Sequence, residues 1–393
     1  MTGLADLAGW AADLDPTPAD VEQARRALVD TVAVTVAALD DPVAGWTEGE
    51  DAALRWAAVG HVLDFDDVHL PSTSHVSVVC APAALACGGG ARAYLAGAGV
   101  MARLGAALGW AHYRSGWHAT CTAGAPAAAV AAGTALGLDE AGLARAMALA
   151  VPAAGGVQRA FGTAGKSLQV GFAAAAGVRA ARLAAAGASA DPAALDQWFA
   201  LLGGTGVPDP TGPAIPGGLA VKLHPCCYAL QRPISAARLL GHPRDVRRIR
   251  VHARASSLQP LIHSRPRTGL EAKFSCEYAV AAALVDGFPD AASFTDAAVA
   301  RPQVRALLDR VEVHAEPGGD DVVAGCTRLV VDHATGPPTE VALDLPDGHP
   351  ERPASAADLA AKVAGCAGDR AAEVSALDWD IAAELLRDAL PGR

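Results

Sequence analysis

Residues 119 to 138, ATCTAGAPAAAVAAGTALGL, run for twenty positions without a charged side chain. A stretch that long either crosses a bilayer or lies inside a protein core. Its composition decides between the two. Alanine, glycine, threonine and Pro126 make it too weakly apolar for hydrocarbon, so the expected setting is a buried helix or helix pair in a soluble core.

The same texture extends on both sides. Through about residue 215 no run alternates at period two, whereas alanine-rich windows of helical length recur between Gly and Pro breaks, which predicts an almost wholly helical region. In TPADVEQARRALVDTVAVTVAALD, Thr17 is placed as N-cap, Pro18 as first helical residue and Asp20 as the acid of a capping box. Val21, Ala24, Leu28, Val32, Val36 and Leu39 then follow at helical spacing. Similar patterns follow Asp139 and Lys166, and Gly187 stands where a left-handed C-terminal cap is wanted.

Beyond that point VRRIRVHARAS, RVEVHAEP, CTRLVVDHA and EVALDLP alternate as half-buried strands, while Tyr228 to Leu240 and Glu277 to Val285 have helical spacing. After the Pro-rich PDGHPERPAS, AADLAAKVAGC and DIAAELLRDAL return to helix and are expected to dock back on the first body. The expected fold is mainly α with α+β: a large all-helical domain, 1–217 completed by 351–393, and a smaller α+β domain at 218–350.

Forty-two acidic against thirty-one basic residues give a net charge of −11, which repels phosphate backbones unless cations are concentrated locally. The one dense basic stretch, His242 to Arg254, alternates like a strand with a charged face and is expected to be a solvated edge, so nucleic acid is not an expected partner. No basic residue precedes Arg25, so no secretory leader is expected, and the eight cysteines form no CxxC pair. Reduced thiols in a cytoplasmic protein follow, with neither zinc nor iron–sulfur ligand spacing.

Lysine is scarce. Lys166, Lys222, Lys273 and Lys362 stand against twenty-seven arginines, so each retained ammonium invites the question of what a guanidinium could not do there. Lys166 opens a helix after GTAG, where backbone N–H groups and an ammonium could converge on an anion; a solvated lysine is the plain alternative. Lys222 lies in AVKLHPCCYAL at the expected domain junction, a common place for ligands; of its neighbours Cys226 is read as packing and Cys227 is left open. In HYRSGWHATCTAG, His112 and His118 could move protons or serve as hydrogen-bonded structural groups. LDFDDVHLPSTSH crowds Asp64, Asp66, Asp67, His69 and His75 together. It admits three readings: a divalent-metal site, an acid–base cluster, or helix capping by the aspartates.

In order along the chain, LDFDDVHLPSTSH, GWHATCTAG, GTAGKSLQVG, KLHPCCYA and KFSCEYAVAAALVDG resemble the MmgE/PrpD family, whose members include 2-methylcitrate dehydratase, cis-aconitate decarboxylase and iminodisuccinate epimerase. The resemblance implies a discontinuous helical domain with a smaller α+β lid, a homodimer, and an active site between the domains. It also implies no metal, iron–sulfur cluster or organic cofactor, and a small carboxylate as substrate. Carried over residue by residue, its acid–base positions fall on Asp64, His75, His118 and Tyr278, and its substrate-binding positions on Lys166 and Lys222, with Gln169 and Cys227 beside them. Val68 replaces a threonine of the decarboxylase, Gln169 a histidine common in the family and Cys227 a decarboxylase histidine, while the loop to His75 is one residue longer. Prevalence within the family puts a dehydratase-like elimination first, an epimerase or other isomerase second and a decarboxylase third. A non-catalytic carboxylate-binding dimer and a metal-dependent hydrolase are the alternatives from other classes.

Overall fold

The computed structural model describes residues 3–392. The uncharged stretch forms the Ala119–Ala135 helix, buried from Ala119 to Gly133, and it is the hub of the helical body. It packs against Gly165–Ala185, Ala91–Arg114 and Ser77–Leu85. Small side chains make this possible. A Cβ built on Gly177 would lie 2.4 Å from the Ala128 Cβ, and one on Gly97 would lie 2.6 Å from the Ala131 Cβ, so these helices meet backbone to backbone. No helix of the described residues is long and apolar enough to cross a membrane.

Local signals set several boundaries. Thr17 and Asp20 form the reciprocal capping box at the start of Pro18–Ala37. Gly187, at φ 89°, closes Gly165–Ala185, with its own N–H on Ala184 and that of Ala188 on Leu183, the paired bonds of a Schellman ending. The helices Ala356–Ala367 and Trp379–Ala389 share a core with Pro18–Ala37 and Ala52–Val62, where Val363, Leu385 and Leu386 meet Leu28, Val32 and Val59. The Trp56 indole donates to the Leu390 carbonyl at 3.0 Å, fastening this C-terminal segment.

A second core lies between residues 226 and 331. Its sheet has four strands, β1 (Val246–Arg254), β2 (Val311–Glu316), β3 (Thr327–His333) and β4 (Thr339–Leu343), in the order β2-β1-β3-β4. β1 runs parallel to β2 and antiparallel to β3, and β3 is antiparallel to β4. Ile249, Val251, Leu329 and Val331 share this core with residues of the Tyr228–Leu240 and Cys276–Asp286 helices. The basic stretch is thus a central strand rather than an edge. Its arginines face acids across the sheet, Arg248 with Asp332 at 3.0 Å and Arg250 with Asp332 at 2.8 Å. The sequence pattern gave the charged face correctly but carried no information on which strands would flank it.

A small cluster of Val68, Leu70, Tyr113, Ala119, Ala220 and Tyr228 joins the two cores. The chain crosses between them twice, and the crossings lie side by side: Val221 donates to the Gly348 carbonyl at 2.9 Å, and Ala220 bridges to Val68. A Cβ on Gly348, at φ 87°, would meet the Val221 carbonyl oxygen at 2.0 Å, so only glycine fits this contact.

Candidate active site

The segment after the Ala52–Val62 helix turns sharply, with Asp64 in the left-handed region at φ 52°. A non-glycine residue held there is uncommon and points to local over-determination. Its constraint is visible. Lys222 Nζ donates both to the Asp64 carbonyl at 2.9 Å and to Oδ1 at 2.6 Å, and Lys166 Nζ donates to the same Oδ1 at 3.0 Å. On either side, Lys273 donates to the Leu63 carbonyl, and Lys362 to the Phe65 carbonyl at 2.8 Å. All four lysines of the chain are buried and converge on three consecutive residues. Lysine scarcity in the sequence therefore marked one place in space.

Behind this turn lies a second layer. Lys166 Nζ is 2.8 Å from His61 Nε2, and His61 Nδ1 is 2.9 Å from Asp66 Oδ2. These partners assign a neutral His61, its proton on Nδ1 facing the carboxylate and its Nε2 accepting from the ammonium. His75 Nδ1 lies 3.0 Å from the same Asp66 Oδ2, an ion-pair distance lacking hydrogen-bond geometry, while its Nε2 is 3.6 Å from Asp64 Oδ1. Asp64, one of the expected acid–base positions, anchors lysines with its carboxylate, and Asp66 is the acid in closest contact with the imidazoles. His118 stands across from His61, with ring centroids 6.0 Å apart. Its Nδ1 accepts from Gln169 Nε2 at 2.6 Å, which assigns the His118 proton to Nε2.

Burial would raise the Asp64 carboxyl, but the ammoniums of Lys166 and Lys222 outweigh it and hold the group well below the usual carboxylate range. Burial would likewise lower Lys222, and Asp64 with Asp66 raises it instead. The imidazoles move the other way. Burial pushes His75 down to about 3, and burial together with Lys166 pushes His118 well below its ordinary value. The shut site therefore holds ionised carboxylates, a charged Lys222 and neutral histidines at neutral pH.

Between His61, Asp64, Thr163, Lys166, Ser167, Lys273 and Phe274 remains a void of about 10 Å³, at most one water molecule. The Phe161 and Phe274 rings stack 5.2 Å apart, and Lys166 Nζ lies 5.4 Å from each. Phe161 belongs to the helical body and Phe274 to the smaller unit, so the stacked rings mark the seam between them beside Lys166. A larger cavity of about 740 Å³, between Pro18–Ala37 and residues 348–354, is lined by none of the four lysines and by neither His75 nor His118.

Donor atoms of His61, Asp64, Asp66 and His75 lie within 4.8 Å of one another, a spacing open to a divalent cation. The Lys166 ammonium already bonds two of these donors, and Lys222 a third contact on Asp64, so a metal would have to displace one ammonium and sit beside another.

Of the residues singled out in the sequence, the structure brings together Asp64, His75, His118, Lys166, Lys222 and, through His118, Gln169. Cys227 is half-buried, its N–H on the Lys273 carbonyl at 3.0 Å, and burial pushes its thiol up to about 11. Tyr278 is not brought to the cluster. It is fully buried in the second core, and its hydroxyl donates to the Ser293 carbonyl at 2.5 Å, a structural bond within that core. His112 is also structural, held by the Leu202 carbonyl and the Thr122 hydroxyl. Asp67 caps from a distance, accepting from the Ser77 N–H at 3.3 Å at the start of Ser77–Leu85. Sequence reasoning passed over His61 and gave Lys273 no role. The signal for His61 was a polar residue in the apolar run WAAVGHV, and for Lys273 it was the rarity of lysine itself.

Comparison with family models places MmgE/PrpD N-terminal domain on residues 44–202 and MmgE/PrpD C-terminal domain on residues 224–388. No curated protein matches the chain.

Proposed function

The chain belongs to the MmgE/PrpD family, and from that premise we propose that it is a cofactor-independent lyase for a small di- or tricarboxylate, working as a homodimer. It removes a proton from the carbon beside a carboxylate, and a hydroxyl on the neighbouring carbon leaves as water, forming an alkene. The observation that carries this reading is the seating of Lys166 and Lys222 on one buried carboxylate beside neutral imidazoles.

Removing a proton next to a carboxylate piles negative charge on a group already anionic, so cations fixed in advance are the main requirement. Asp64 holds both ammoniums in position before substrate arrives. His75 is the base in this reading: Asp66 lies behind Nδ1, leaving Nε2 to take the proton. Burial weakens it in the empty site, and an anionic substrate beside it raises its pKa, so basicity follows substrate binding. His118 is the acid, its proton placed on Nε2 by Gln169 and passed to the departing hydroxyl. A dicarboxylate epimerase is the second reading, since two imidazoles flanking His61 could exchange protons on two faces of one carbon.

Proton NMR of citrate-, methylcitrate- and aminodicarboxylate-type acids in deuterated buffer tests both. A vinyl signal supports elimination, and C–H exchange without an alkene supports epimerisation. Loss of carbon dioxide, or no change in any of these acids, contradicts both readings.

A further inference from the structure

Lys273 has no role in the scheme above, yet it sits at the same void. It follows the short Gly269–Ala272 helix of the smaller unit, is 4% exposed, and reaches across the seam to the helical body. Its ammonium donates to the Leu63 carbonyl, in the turn holding Asp64, and to the Pro225 carbonyl at 3.0 Å, in the loop before Tyr228–Leu240. No carboxylate is within ion-pair distance among the described residues, in contrast to Lys166, Lys222 and Lys362. An ammonium has three N–H donors, so one remains, and the residue lines the void together with Asp64 and Lys166. Two backbone carbonyls are weak compensation for a buried charge. A full cation is retained there at low cost only if an anion joins it.

We propose that Lys273 is a third substrate-binding cation, carried by the lid, which donates its remaining N–H to a substrate carboxylate as the lid closes. The inference rests on the carboxylate-binding part of the reading above and not on which reaction follows. Its charge balance supports it. Asp64 and Asp66 are matched by Lys166 and Lys222, so a dianionic ligand needs positive charge from elsewhere, and of the two lysines lining the void Lys273 is the one that no carboxylate among the described residues pairs. The groups around it are Asp64, Lys166 and Lys222 from the body and hinge, the Cys226 thiol, and the Phe294 ring 5.8 Å away. Burial, against a smaller opposing pull from Asp64, brings the Lys273 amine down to about 8. A bound carboxylate raises it again, so binding slightly above that pH draws a proton from solution.

The test uses the full-length protein and tricarballylate, a tricarboxylate with no hydroxyl to expel. Calorimetric titrations at a pH of about 8.5, in two buffers of different ionisation enthalpy, read affinity and proton uptake together. The wild type is expected to take up protons on binding. Lys273→Met is expected to weaken binding about tenfold or more and to lose the uptake. Lys273→Arg, which stays charged at every working pH, is expected to lose the uptake even if Lys273→Met folds poorly. Uptake equal to wild type in either variant overturns the inference. So does Lys273→Met binding as tightly as wild type while Lys222→Met does not, an outcome that leaves the carboxylate reading standing. If the wild type itself binds no tricarballylate, the carboxylate reading falls and takes this inference with it.

Discussion

Replacing Lys222 with methionine keeps the length of the stem and removes the charge. Asp64 then keeps Lys166 at 3.0 Å but loses its shortest contact, at 2.6 Å, and the Asp64 carbonyl loses a donor as well. Lys222 is fully buried, so no solvent replaces these bonds. Taking one partner from a buried ion pair costs about 3–5 kcal/mol, and the remaining Lys166 places this case near the lower end. For a chain of 393 residues that is a fall in melting temperature of roughly 4–6 °C. The pH dependence has a definite sign. Asp64 in the folded wild type lies well below its unfolded value, so its contribution is present above a pH of about 4 and is lost as the pH falls through the folded value. Without Lys222, burial weighs more and the folded value rises, so the variant loses less on acidification. Thermal melts followed by circular dichroism should show the gap between the two proteins widest near neutral pH and narrowing below a pH of about 4. Asp64→Asn combined with Lys222→Met should cost less than the two single changes added together. A melt within a degree of wild type at neutral pH, or a gap that does not change on acidification, would refute the reasoning.

Further outcomes follow from the same contacts. His118→Ala should lower turnover on a proven substrate by about a hundredfold or more while leaving the melt in place, and near-normal turnover would remove His118 from the chemistry. Tyr278→Phe should leave turnover unchanged and cost about 1 kcal/mol of stability, because only the bond to the Ser293 carbonyl is lost; a large fall in turnover would restore a catalytic role. Gly177→Ala would put a methyl 2.4 Å from the Ala128 Cβ and should cost about 1–3 kcal/mol in urea denaturation. A neutral effect there would contradict the backbone-to-backbone packing of the hub helix.

Much of the fold was legible because its signals are local. The Thr17–Asp20 capping box, the Gly187 ending and the four alternating strands each follow from residues within a few positions of one another. What was not legible is what depends on partners far along the chain. The central place of β1 and its parallel pairing with β2 come from tertiary packing and leave no mark within the VRRIRVHARAS segment. The site divides in the same way. Lys166, Lys222, His75 and His118 were named from motifs that resemble a family, whereas the share-out of work between Asp64 and Asp66 is a matter of side-chain direction after a left-handed turn. Tyr278 illustrates the opposite error, since motif position placed it at the site and the helix carrying it turns its hydroxyl into the second core. Lys273 was within reach, because burying all four ammoniums is a coherent use of the few lysines retained.

The central claim is that Lys166 and Lys222, seated on Asp64 at the seam between the two cores, form the carboxylate site. A crystal structure with tricarballylate bound tests it most directly. The account predicts a carboxylate oxygen within hydrogen-bond distance of both ammoniums, with the Phe161–Phe274 seam parted or reclosed over it. Tricarballylate bound only in the cavity beside Pro18–Ala37, with the lysine cluster unchanged, would contradict it.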